Sequence, residues 1–364
     1  MQNYALQQVL ILGGHKVKTI DWQVPVSWRA RLAYLKNEVI GTLFPSRAVE
    51  QKYIPTTKEK AKIQSKTNNF IQKHLYHTHT IKEHAGFLMQ AEKEQFEGYV
   101  VGSDQCWRPL YNTFLSSMFL DFVQDIDVKR VAYAASFGTD QWEFSSEATA
   151  QCASLVQKFD LVTVREDSGV KLCNEHLGVE ATHVLDPTML LTKEDYIHLI
   201  ETEKEPNAVG NLFNYILDPD ETKTNFINRV AEGMNLKPFQ VLPKYQAETR
   251  TKEDVKKRIE DCVFPGVTTW LRAFMDADMT IVDSFHGMVF SILFNKPFWV
   301  IGNAERGMSR FTSLLKLLDL EDRLLDVSEL AKVDFKRPID WNRVNILLEQ
   351  KRNESKNLLL NALR

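Results

Sequence analysis

Asp283-Ser284-Phe285-His286-Gly287 lies between two apolar runs. Before it, Ala277-Asp278-Met279-Thr280-Ile281-Val282 reads as a buried strand; after it, Met288-Val289-Phe290-Ser291-Ile292-Leu293-Phe294 reads as a helix. The pentapeptide is therefore a strand-to-helix turn that carries a histidine. In an open α/β sheet such turns lie at the carboxyl ends of the strands, where ligands bind. The helix that follows offers unpaired backbone N–H groups and the positive end of its dipole, a seat for phosphate or carboxylate. A histidine beside that seat donates a hydrogen bond to an anion or moves a proton. The bland alternative for His286 is a satisfied core histidine.

The same rhythm extends in both directions. Toward the N-terminus, strands are predicted at Gly98–Val101, Arg130–Ala135, Leu161–Val164 and Thr182–Leu185, with helices at Ser145–Lys158 and 167–176. A polar stretch, Glu201–Asn207, reads as an interdomain linker. Beyond it come a strand at Asn211–Leu217, a helix over 221–234, a strand near Phe239–Leu242 and a helix at Val267–Met275. After the histidine turn follow a strand at Pro297–Ile301 and helices at Ser309–Leu318 and Trp341–Leu363. Strands alternating with helices predict parallel, doubly wound sheets. A chain of 364 residues exceeds what one core usually serves, so two such domains are expected. The start departs from this rhythm: residues 5–12 read as a helix closed by Gly13-Gly14, followed by a short strand at Val17–Ile20.

Composition is that of a globular protein, 44% apolar and 26% charged, with a net charge of −3. That charge argues against coating nucleic acid. No apolar run spans a bilayer, and no signal peptide is visible, which points to the cytoplasm. Cys106, Cys152, Cys173 and Cys262 match neither a zinc pattern nor a redox pair and read as reduced thiols; only Cys106 adjoins suspected chemistry. Ser46–Lys82 is basic and helical in character, either a solvated insert or a surface that meets an anionic partner at a membrane. His74, His77, His79 and His84 lie there at irregular spacing without acidic or Cys ligands, which argues against a metal site.

The strand ends carry unusual polar content: Ser103-Asp104-Gln105, Ser136, Arg165-Glu166, Asp186 and the histidine turn. Such ends face one side of a sheet and converge on a cleft. Each has a plainer reading. Asp104 and Asp283 are good helix caps. Arg165 has Glu166 and Asp167 for surface partners. Asp186-Pro187 reads as a structural turn, because proline fixes the backbone there. Arg306-Gly307-Met308-Ser309-Arg310-Phe311 places two cations at a helix start, and arginine forks suit carboxylate and phosphate. No GxGxxG, Walker A, HExxH or GxSxG sequence occurs.

Val101-Gly102-Ser103-Asp104-Gln105-Cys106-Trp107, Tyr133-Ala134-Ala135-Ser136-Phe137-Gly138, Val164-Arg165-Glu166, Leu185-Asp186-Pro187-Thr188, the histidine turn and Asn295-Lys296-Pro297-Phe298 occur in that order. Together with Arg306–Leu315 they closely resemble the polysaccharide pyruvyl transferase family, from Asn3 to about Arg323. The resemblance implies two Rossmann-like α/β domains, GT-B-like, with the cleft between them. It divides the chain into an acceptor domain (1–203), a donor domain (204–335) and a C-terminal helix (336–364). It also implies transfer of an enolpyruvyl-derived group from phosphoenolpyruvate to sugar hydroxyls of a bacterial surface glycan or its precursor, as a pyruvate ketal. No cofactor or metal enters that scheme. The acceptor is a glycan, lipid-linked if the basic insert faces the inner surface of the membrane.

On this reading His286 binds phosphate or donates a proton. Arg165, Arg310 and Arg306 bind the donor's anionic groups, with Ser284, Ser103 and Ser136 beside them. Asp104 binds the acceptor hydroxyl or acts as base. Family members usually open with a strand and a Gly-containing loop before a stretch such as Gln2–Gln7, and that strand is expected to be missing here. Two rivals remain: a GT-B glycosyltransferase using a nucleotide sugar, and a non-catalytic, N-terminally truncated family member.

Overall fold

A computed structural model describes residues 1–23, 55–245, 255, 257–302 and 307–364. Positions 46–54 of the basic insert and Arg306 lie outside the described residues. In chain order the elements are α1 (Gln2–Leu12), α2 (Thr57–Ile63), α3 (Ser65–His74), α4 (Ala85–Glu94), β1 (Gly98–Val101), β2 (Lys129–Ala135), α5 (Ser146–Val156), β3 (Leu161–Val164), α6 (Asp167–Leu172), β4 (Thr182–His183) and α7 (Lys193–Thr202). The second half contributes β5 (Leu212–Tyr215), α8 (Glu221–Met234), β6 (Pro238–Phe239), α9 (Val267–Asp276), β7 (Met279–Val282), α10 (Phe285–Leu293), β8 (Phe298–Ile301), α11 (Ser309–Leu317), β9 (Leu324–Leu325) and α12 (Trp341–Ala362).

Two sheets result, and every strand pair in both is parallel. The first runs β1-β2-β3-β4 and the second β6-β5-β7-β8-β9. The architecture is α/β with two Rossmann-like domains, in the expected GT-B-like arrangement. In the second sheet the strand order reverses between β5 and β7, whose residues pair from Leu212↔Met279 to Tyr215↔Val282. That reversal opens the crevice in which doubly wound sheets bind ligands. The histidine turn follows β7 directly, so topology alone places it there.

β7 and β8 are buried along their whole length, as unbroken apolar strands in a two-sided sheet should be. From Ile281 to Phe294 only Ser284 and His286 are not buried. A helix apolar on all sides, as α10 is, belongs inside a core. One apolar cluster joins α10 to residues of the first domain, among them Tyr133, Leu185 and Tyr196.

Several predicted strands prove short. Of the predicted Thr182–Leu185 only Thr182–His183 forms the strand; Val184 N still donates to the Val164 carbonyl at 3.0 Å, and the chain leaves the ladder at Leu185, whose N–H goes to Ser355 Oγ. Pro238–Phe239 replaces the strand near Phe239–Leu242. Val17–Ile20 forms no named strand; Thr19 and Trp22 make single parallel bridges to His77 and Ile81. The described part of the basic insert is helical only through His74. The histidines in and just after it serve separate ends: His74 meets Glu203, His77 the Thr78 carbonyl and His84 Asp121. The Glu201–Asn207 stretch is not loose, since Glu205 accepts hydrogen bonds from Thr268 and Thr269.

β1 is an edge strand, and its open side lines a cavity of about 870 Å³ bounded opposite by residues 16–20 and Trp22. This cavity lies behind the strand ends and reaches their polar groups only at Ser103. α12 returns to the first domain: Ser355 Oγ accepts from Leu185 N at 3.1 Å, and Arg352 Nε donates to the Met189 carbonyl at 2.8 Å.

Candidate active site

The histidine turn is held from both sides. Ser284 caps α10, its Oγ accepting from Gly287 N at 3.1 Å. A Cβ on Gly287 would stand 2.8 Å from that Oγ and 2.9 Å from Val282 Cβ, so the close turn requires glycine. Asp283 does not cap the helix. Its buried carboxylate accepts from the backbone N–H of Leu217 (2.7 Å) and Asp218 (3.1 Å) and meets Lys223 Nζ at 3.3 Å, tying the β5 turn to the β7 turn across the crevice. His286 is thereby pointed at the first domain.

There it meets Asp186, which becomes the centre of the site rather than a merely structural turn. Asp186 Oδ2 lies 2.7 Å from Arg165 Nη1, 2.8 Å from Gln2 Nε2, 3.2 Å from Ser103 Oγ and 3.5 Å from His286 Nε2. Its Oδ1 accepts from Thr188 N and Oγ1. Proline at 187 supplies the tight turn that buries the carboxylate, and the sequence reading took the turn's purpose to end there. Burial alone would raise the Asp186 carboxyl, but His286 and Arg165 outweigh it and hold it well below the usual carboxylate range.

Arg165 does not pair with Glu166 or Asp167 at the surface. It is buried, bonded to Asp186 and, through Nη2 at 3.1 Å, to Asp104. Burial works against its charge, yet Asp186 and Asp104 more than compensate and strengthen it. Asp104 also lies 3.9 Å from Arg310 Nη1, which comes from α11 of the facing domain. Asp104 therefore caps no helix; its carboxylate stands between two guanidinium groups. Partial burial would raise it, but Arg165, His286 and Arg310 prevail and keep it below its ordinary value. Burial, and then the like charge of Arg165, bring Arg310 down to about 10.

The sequence reading missed Phe285. Its ring lies 4.4 Å from the Arg165 guanidinium carbon and 5.9 Å from that of Arg310, so one aromatic holds two like charges close together. A large apolar residue just before a turn histidine was the available signal, but it reads equally well as core.

Two predicted ligands face elsewhere. Ser136 is fully buried; its hydroxyl donates to Glu166 Oε1 at 2.9 Å and accepts from Gly138 N at 3.1 Å. Glu166 Oε1 also accepts from Phe137 N and Gly138 N. Burial pushes the Glu166 carboxyl up despite these donors and the charge of Arg165. The pair braces the 136–138 loop. Ser284 spends its hydroxyl on the helix cap. Ser103 remains at the site through Asp186. Arg306 lies outside the described residues, but Gly307, next to it, has φ +83°, and a Cβ there would sit 2.0 Å from the Gly138 carbonyl oxygen. Asp167 and Ser313 add a second bridge between the domains, at 2.6 Å. Burial pushes the Cys106 thiol up to about 12, away from the thiolate form that a nucleophile needs.

A cleft that gathers two arginines, a histidine and two carboxylates from two Rossmann-like domains suits a small polyanion and a hydroxyl-bearing partner. The profile of the family described as polysaccharide pyruvyl transferase matches residues 2–305. The chain belongs to the polysaccharide pyruvyl transferase family. Membership makes it a transferase of polysaccharide modification. No curated protein sequence matches this pyruvyl transferase family member. Among solved structures it is similar to a trehalose-6-phosphate synthase, at 7% identity and TM-score 0.43, over 95% of this chain and 99% of that one. It is also similar to the glycotransferase of kitacinnamycin, at 10% identity and TM-score 0.43, over 100% and 95% of the two chains. A third is a UGT transferase from Siraitia grosvenorii in complex with UDP, at 10% identity and TM-score 0.40, over 100% and 91%. Among the described residues no helix is long and apolar enough to cross a membrane.

Proposed function

We propose that this transferase takes phosphoenolpyruvate as donor and closes a pyruvate ketal on two hydroxyls of a glycan. The observation that carries the reading is the pair Arg165 and Arg310, held together by Phe285 beside His286 and bridged at present by a carboxylate, Asp104. A seat that holds a carboxylate between two guanidinium groups is a seat for the carboxylate or phosphate of a small dianion.

The reaction balances on these groups. One sugar hydroxyl adds to C2 of the enol phosphate while the methylene carbon takes a proton and becomes a methyl group. The second hydroxyl replaces phosphate at C2, and its proton leaves with the phosphate. His286 binds the phosphate and supplies the proton to carbon. Asp186, buried and ionised, orients the imidazole and Arg165 together and remains a carboxylate throughout. Asp104 is a weak base while Arg165 and Arg310 hold it. The donor's anionic group takes those partners, and the displaced carboxylate becomes free to accept the hydroxyl proton. No cofactor is needed by this scheme. A lipid-linked acceptor at the inner face of the membrane would suit the basic helices α2 and α3.

Incubation with phosphoenolpyruvate and free or lipid-linked glycans tests this. Phosphate release together with a pyruvyl mass increment on the glycan supports it. Turnover with a UDP- or GDP-sugar, and none with phosphoenolpyruvate, would instead favour the nucleotide-sugar glycosyltransferase.

A further inference from the structure

The chain just after Asp104 is built more firmly than a surface loop needs to be. Trp107 is fully buried, donates from Nε1 to the Met118 carbonyl at 2.8 Å and stacks on Phe119 at 4.6 Å. Arg108 forks onto both oxygens of Glu143, at 3.0 and 2.9 Å, and reaches Gln105 Oε1 at 3.1 Å. Asn112 Nδ2 donates to the carbonyls of Gln105, Cys106 and Arg108, at 3.1, 2.9 and 3.1 Å. On this braced base two large side chains are left in solvent: Leu110 is 70% exposed and Tyr111 57% exposed. One side of the Tyr111 ring is backed by the Arg108 guanidinium, 5.1 Å from the centroid. The phenol lies within electrostatic reach of Arg310 across the cleft. The Arg108 side chain that backs the ring also holds Gln105, the neighbour of Asp104, so the ring stands on the same braced segment as Asp104.

We propose that Tyr111, flanked by Leu110, is the platform on which the acceptor's pyranose ring stacks while Asp104 receives its hydroxyl. Beyond its contact with Arg108, folding gains little from an exposed aromatic on a rigid loop. Binding gains more, because a fixed aromatic offers a large contact area at little cost in rotamer entropy. A pyranose has a face of C–H groups that needs a flat apolar partner and an edge of hydroxyls that needs a polar one; small-molecule sites combine the two. Tyr111 and Asp104, seven residues apart on one braced segment, supply both. The neighbouring arginines serve the donor, so the loop divides labour with them.

This inference rests on the proposed function, and one set of measurements separates the two. Phosphoenolpyruvate binding is measured by calorimetry and turnover by phosphate release, with methyl β-galactopyranoside as acceptor probe. The enzymes are the unaltered protein, Tyr111→Ala, Tyr111→Phe and Tyr111→Trp. Tyr111→Ala should raise the acceptor KM about ten-fold with the donor Kd unchanged, while Phe and Trp keep the acceptor KM within about two-fold, as stacking without the hydroxyl requires. Turnover with an acceptor KM unchanged in Tyr111→Ala, or a donor Kd that moves as much as the acceptor KM, overturns the platform alone. Absence of donor binding and turnover in the unaltered protein overturns the function and the platform with it. Donor binding without turnover on the glycoside overturns the platform as stated for pyranose acceptors and leaves the donor seat standing.

Discussion

On the first-domain side of the cleft, Arg165 is 2% exposed and bonded to Asp186 and Asp104, and Glu166 is spent on the Ser136–Gly138 loop. On the second-domain side, His286 stands 3.5 Å from Asp186 and Arg310 stands 3.9 Å from Asp104. The charges of the first side are paired within their own domain, whereas the second side meets them at the longer distances of 3.5 and 3.9 Å. Preorganisation and responsiveness have thus been assigned to different domains. Charge fixed by burial keeps its geometry without substrate, whereas looser pairs across a cleft can exchange one partner for another.

The largest effect should come from the fixed side. Arg165→Ala leaves Asp186 buried without its main cation, which costs about 3–5 kcal/mol in urea unfolding and abolishes turnover. A loss no greater than that of Arg310→Ala would erase the contrast between the two sides. Next comes the responsive side. His286→Ala should lower turnover by about 10²–10⁴-fold while thermal melting stays close to that of the unaltered protein. Retained turnover would remove the histidine from the chemistry.

Asp104→Asn should act in two directions. Removing the competing carboxylate tightens phosphoenolpyruvate binding several-fold in calorimetry, while the loss of the base lowers turnover. Weaker donor binding would mean that Asp104 supports the arginine pair rather than holding their seat.

The smallest effect separates the two buried carboxylates by pH. Asp186 has a depressed native value, so its contribution is fully present above its unfolded value of about 3.9 and is lost as pH falls through the native one. Glu166 has a raised native value, so it binds its proton more tightly when folded. Stability therefore declines as pH rises from about 4.3 through that raised value. Glu166→Gln keeps an acceptor for Ser136 and should flatten only this second slope, gaining about 1 kcal/mol or less near pH 8 in urea unfolding. An unchanged slope would show that the ionised form costs nothing where it sits.

The fold was legible where burial dictates sequence. Met279–Val282 and the helix after it are apolar on every side, and that pattern fixed both the turn and its place at a strand end. His286, Arg165, Arg310 and Asp104 were legible as polar residues at strand or helix ends, and they do converge. Asp186 was legible as the turn residue it is, accepting from Thr188, but not as a hub, because its other partners lie at 2, 103, 165 and 286 and no local pattern registers contacts so far apart in the chain. Ser136 was misread for the opposite reason. A serine at a strand end looks like a ligand, but a buried glutamate thirty residues away had already taken its hydroxyl. Phe285 stayed hidden because an aromatic that gathers cations and an aromatic that fills a core have the same sequence signature.

The path of α12 has a further consequence. The chain passes from the first domain to the second once after α7, and returns once before α12 docks beside Met189 and Leu185. A body attached through two strands of polypeptide resists twisting and sliding but still permits rotation about the line that joins the attachments. Two crossings rather than one thus restrict how the two halves can move against each other, and their backbones approach closely where a Cβ on Gly307 would stand 2.0 Å from the Gly138 carbonyl oxygen.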